Sequence, residues 1–156
     1  MIITLHALTY NTNITMTIKQ ISIFLENKSG RLADVLGCLG HANIKICALT
    51  IADTSEYGIL RMIVSDSAKA VEVLQANEFT VNITDVIALA TANQAGSFAK
   101  ILRMLADEGL SIEYMYAFKW SKGAAMILRT NEIAQTLKTF EKNSIKLLSH
   151  NDIANL

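Results

Sequence analysis

Apolar and polar positions alternate early in the chain. Ile21, Ile23 and Leu25 face one way and Gln20, Ser22 and Glu26 the other, the two-residue period of a strand. After a short polar loop the period changes. Leu32, Val35, Leu36 and Leu39 stand at i, i+3, i+4 and i+7, one face of a helix that should stop near residues 41–43, where Asn43 can cap it. Residues 44–52, IKICALTIA, read as a buried strand; 53–58, DTSEYG, as a turn; and 59–64, ILRMIV, as the hairpin partner. Ser67 is placed to cap a helix carrying Ala68, Val71 and Leu74 and ending at Asn77, and residues 79–84, FTVNIT, alternate again.

The same order then recurs. Residues 85–90, DVIALA, read as a strand, and Phe98, Ile101, Leu102 and Leu105 repeat the first helix face at an offset of 66 positions, the distance from Gly30 to Gly96. Gly109 ends that helix, 110–118 reads as a strand, 119–123 as a turn and 124–130 as its hairpin partner. Asn131 is placed to cap a helix with Ile133, Leu137 and Phe140, and 145–149 closes the series. Composition does not shift between the halves, so an internal duplication is the simplest account.

Each half is a β-α-β-β-α-β series. The expected fold is α+β: two tandem ferredoxin-like units, each an antiparallel four-stranded sheet with both helices on one face. The units are assigned to residues 16–84 and 85–156, with 1–15 as an N-terminal extension that is frayed or adds an edge strand. The strands are apolar on both faces, Leu60, Met62 and Val64 against Ile59 and Ile63. Two units must therefore cover each other's second face or join edges, within a chain or between chains.

The chain has 156 residues, 51% hydrophobic and 18% charged, enough to bury a core. Fourteen basic residues balance fourteen acidic ones, so there is no broad basic field for nucleic acid. No apolar run approaches the roughly 20 residues of a membrane helix. Cys38 and Cys47 fit neither a zinc pattern nor a disulfide framework and read as buried thiols in a reducing compartment, the cytoplasm. There is no proline, so turns must rest on Gly, Asn, Asp and Ser.

The loop ENKSGRL, residues 26–32, joins the first strand to the first helix. Several amides at the helix start lack intrahelical partners, Gly30 lets a ligand approach the backbone, the helix dipole favours a negative group, and Arg31 adds charge. The loop suits a small carboxylate. The plainer alternative is that Ser29 caps the helix and Gly30 serves the turn. Residues 91–98, TANQAGSF, repeat the handover.

With NKSGRL at 27–32 and NQAGSF at 93–98, the sequence resembles the ACT domain in tandem, from residue 16 to about residue 149. That family leads from its first strand through a loop of the type D-x-P-G-x-L; here Asn27 and Asn93 stand at the acidic place and Ser29 and Ala95 at the proline place. Residues 40–64 resemble the family's stretch from first helix to third strand. The resemblance implies a free amino acid bound at an interface between two such units. Amides near Ser29, Gly30, Arg31 and Leu32 would receive the α-carboxylate, Asn27 is a further ligand-binding candidate, and Asp53 and Glu56 are candidates for the α-ammonium. Tyr114 and Tyr116, on one strand face with Met115 turned away, could wall the pocket. Asp53 and Glu56 have the plain alternative of hairpin-turn residues, and the tyrosines of sheet packing. The first copy, with Arg31, is expected to be the better site: a bulky residue at Gly30 should abolish binding, and one at Gly96 should hurt less.

The function expected is a non-catalytic, allosteric, amino-acid-binding regulatory protein: a homodimer in the cytoplasm, without cofactor or metal, acting on an enzyme the sequence does not name. His6, His41 and His150 are scattered, and no G-x-S-x-G, P-loop or H-E-x-x-H occurs. A small enzyme on the same scaffold stays open, with Asp53 and His41 as its candidates. An RNA-binding module ranks last, because ILRMIV carries one arginine and no aromatic residue.

Overall fold

The computed structural model describes residues 16–53 and 56–155. The expected extension, residues 1–15, and turn residues 54–55 lie outside the described residues. The elements are β1 (Ile18–Glu26), α1 (Arg31–His41), β2 (Ile46–Asp53), β3 (Tyr57–Val64), α2 (Ser67–Ala76) and β4 (Val81–Thr91). They continue as α3 (Ser97–Asp107), β5 (Ile112–Trp120), β6 (Gly123–Thr130), α4 (Ile133–Lys142) and α5 (His150–Ala154). Contacts divide them into a first unit of residues 19–85 with 150–155 and a second unit of 86–149 with 16–18.

In the first unit β3 lies between β2 and β1, antiparallel to both, with Leu60 opposite Ile23 and Ile51. Ile21, Ile23, Leu25, Leu60, Met62 and Val64 form one sheet face, and α1 and α2 bury it with Val35, Leu39, Ala70 and Leu74. The second unit repeats this. β6 lies between β4 and β5, and Ile87, Leu89, Met126 and Leu128 meet Ile101 and Leu105 of α3 and Leu137 and Phe140 of α4. α1 and α2 in the first unit, and α3 and α4 in the second, thus cover one face.

The duplication extends to single hydrogen bonds at the same offset of 66. The Ile44 and Leu110 amides each donate to a leucine carbonyl, Leu39 or Leu105, at 2.9 Å. Asn43 and Gly109, just past α1 and α3, both have positive φ, 58° and 71°. The edge strands carry the same register shift, at residues 46/48 and 112/114.

Five expectations are corrected. The sheets are not two separate four-stranded ones. The strands hydrogen-bond in the single order β2-β3-β1-β4-β6-β5, and β4 is one continuous strand that begins in the first unit and ends in the second. The break expected at Asp85 does not occur: no Gly or Pro interrupts the run, and the Asp85 carboxylate is met by Lys19 Nζ at 2.8 Å. The closing strand at 145–149 shrinks to a bridge between Leu89 and Leu147, flanked by Ala90 N–H to Lys146 O (2.9 Å) and Leu148 N–H to Ala88 O (2.8 Å), and α5 follows it. α2 is capped by Asp66, not Ser67, through Lys69 N–H at 3.0 Å. Asn131 does not cap α4; its side-chain oxygen accepts from Ser111 N–H at 2.9 Å, and Glu132 takes the cap position without a side-chain bond.

Candidate functional site

Both strand-to-helix loops end on a left-handed glycine. Gly30 (φ 91°) precedes α1 and Gly96 (φ 83°) precedes α3, and neither helix start has a side-chain cap. Ser29 therefore does not close α1. The local backbone bonds match: Arg31 N–H to Lys28 O at 3.3 Å and Asp34 N–H to Gly30 O at 2.9 Å, against Ser97 N–H to Gln94 O at 3.2 Å and Lys100 N–H to Gly96 O at 3.0 Å. The glycines are required because this conformation strains any residue with a Cβ. Leu32 and Phe98, the second residue of each helix, are each 36% exposed rather than sunk in the core. Orphan amides and the positive end of the helix dipole thus stand at each start.

The candidate residues are placed as follows. Asn27 donates its N–H to Glu56 O at 2.9 Å, tying the first loop to the first hairpin turn. Asp53 ends β2 opposite Gly58. The Arg31 guanidinium lies 5.0 Å from the Phe79 ring centroid and 3.9 Å from Asp34 Oδ2, so its charge is shared with its own unit. Lys28 pairs with Glu26, and this bond and charge hold the Glu26 carboxyl below its ordinary value. Tyr114 and Tyr116 sit on β5 of the second unit opposite Arg129 and Ile127, while Met115 between them joins the core. His41, the last residue of α1, is exposed.

Beside the second loop lies an open hollow of about 820 Å³, lined on one side by Asn93 and Phe98 and on the other by Phe118, Lys119, Ser121 and Lys122. It arises where β6 starts hard against the end of β4: a Cβ on Gly123 would sit 2.1 Å from Thr91 O. Tyr114 and Tyr116 are not among its lining residues; Ala117 and Phe118, further along β5, are. The sequence reading missed Phe118, Lys119 and Lys122. The repeat offset could have found the lysines, because it carries Asp53 onto Lys119 and Glu56 onto Lys122. Among the described residues no three of His, Cys, Asp and Glu gather to hold a metal ion, and no helix is long and apolar enough to cross a membrane.

Residues 16–156 match the family described as "ACT domain pair". The crystal structure of protein BT0572 from Bacteroides thetaiotaomicron is 43% identical and covers 90% of this chain and 98% of its own, with a TM-score of 0.86. The ligand-free regulatory subunit of aspartate kinase from Thermus thermophilus, 17% identical, covers 80% of this chain and 91% of its own at a TM-score of 0.57. The aspartokinase α and β subunits give 17%, 80%, 90% and 0.55. The last two likenesses are of fold. No curated protein matches the sequence. With a β-α-β-β-α order that occurs twice and shares the strand β4, two glycine-led helix starts and a family match from residue 16 onward, the chain belongs to the ACT-domain family as an ACT domain pair.

Proposed function

We propose that this chain is a non-catalytic regulatory protein that binds a free amino acid, with the α-carboxylate held on the amides at a glycine-led helix start. The observation that carries this reading is the repetition of that helix start in bond-by-bond detail, each time behind a left-handed glycine and each time without a side-chain cap. In the first copy the receiving amides are those near Ser29, Gly30, Arg31 and Leu32, with Asn27 as a further binding residue and Asp53 and Glu56 for the ammonium. Tyr114 and Tyr116 serve as wall residues. The second copy offers the same backbone with Asn93 and Gly96. The resemblance to an aspartate kinase regulatory subunit supports a regulatory role. The domains are taken as residues 16–84 and 85–156. The working form is a homodimer, supported by edge strand β2, whose Leu49 (46%) and Ile51 (40%) are exposed.

A thermal-shift screen of the twenty amino acids against the full chain tests the reading. A ligand at 100 times its Kd should raise Tm by roughly 5–10 °C for a chain of this size. A flat response to all twenty, confirmed by calorimetry, would remove it.

A further inference from the structure

We propose that the hollow beside Asn93 and Gly96 selects amino acids whose side chain carries a carboxylate. This rests on the amino-acid-binding reading above and names the ligand class of its second copy. The hollow's volume, about 820 Å³, lies within the roughly 300–1,000 Å³ of small-molecule sites, so room does not discriminate between amino acids. Charge does. The lining carries two ammonium groups, Lys119 and Lys122, and no aspartate or glutamate. Phe98 and the adjoining alanines supply an apolar wall along which a methylene chain can lie. Asn93 and Ser121 add polar groups of no net charge.

The duplication gives this charge its meaning. Every repeat position in the two hairpin turns has a counterpart, and at two of them the sign is reversed: Asp53 and Glu56 in the first copy, Lys119 and Lys122 in the second. The loops differ as well. The first carries Glu26, Lys28 and Arg31; the second places Ala92, Gln94 and Ser97 there and is uncharged. The backbone frame is preserved while the charges of the hairpin turn are inverted. Two ammonium groups with no nearby carboxylate in the lining repel a lysine or arginine side chain and attract glutamate or aspartate.

The test is titration calorimetry of the full chain with L-glutamate, L-aspartate, L-leucine and L-lysine at low salt. Binding should be at least tenfold tighter for glutamate or aspartate than for lysine, and should weaken as salt is added. Lys119→Ala/Lys122→Ala should lose about tenfold, the size expected of two exposed charge contacts. Lys119→Asp/Lys122→Glu, which gives the second turn the first turn's residues, should reverse the preference toward lysine. Both lysines are exposed, so an unchanged Tm without ligand certifies the fold of each variant. Binding of any amino acid that is indifferent to both double substitutions would overturn this inference and leave the regulatory reading standing. Failure of all four probes to bind would overturn this inference, and the reading beneath it falls only if the twenty-amino-acid screen is flat as well.

Discussion

A methyl group placed on Gly123 would lie 2.1 Å from the carbonyl oxygen of Thr91. The neighbour is backbone held in the β4–β6 ladder, where Thr91 pairs with Ala124, so it cannot swing aside as a side chain would. Gly123→Ala should therefore destabilise the chain by roughly 2–3 kcal/mol. Urea denaturation measures this; a loss under half that size would mean the two backbones separate easily.

Thr130 and Thr136 place their hydroxyl oxygens 2.6 Å apart in the core of the second unit. Thr136 donates its single proton to Glu132 O at 2.8 Å, so Thr130 is the donor within the pair. Thr136→Val would strand a buried donor and should cost about 1–3 kcal/mol; Thr130→Val removes the donor and should cost less. The double variant should be less harmful than the sum of the singles. Equal single costs with strict additivity would contradict the assignment.

Gly30→Ala and Gly96→Ala should behave alike. A Cβ at either position meets no atom within 4 Å, so the cost is the left-handed backbone alone, about 1–2 kcal/mol. Thermal denaturation of both variants checks it. A loss well above this at one glycine only would show that the two helix starts are not equivalent.

Cys47 is half-buried, and burial raises its thiol above the usual cysteine value against the weaker opposing pull of Lys45. The folded state thus favours the protonated thiol. Any stability from this group is complete below the unfolded value, and is lost as pH rises through the higher folded value. Iodoacetamide at pH 8 should label Cys47 more slowly in the native chain than in the chain unfolded by urea. Equal rates would refute this.

Much of the fold was legible in local periodicity. Val35 and Leu39, and Ile101 and Leu105 after them, occupy the core faces read from their spacing. The two glycines were legible because a polar loop before an apolar period has few uses for a residue without a side chain. Three things were not legible. The strands at 79–84 and 85–90 are one, and Asp85, which reads as a boundary, is paired at the surface with Lys19, 66 positions away. Arg31 looked like a loop charge, but Phe79, brought near by the fold, draws it. The hollow is made by two segments more than twenty positions apart, Asn93 and Lys119 for instance, and no local pattern announces such a meeting.

The unbroken run of β4 sets a condition on any attempt to separate the halves. Val81–Thr91 cannot be divided between two fragments: a cut after residue 84 or 85 would leave one piece with a stub and the other with a raw end, so each fragment would need its own copy of the stretch. The same continuity guards against misthreading. A slip of one residue along this strand would turn inward-facing side chains outward in both halves at once, so the penalty for a wrong alignment is incurred twice.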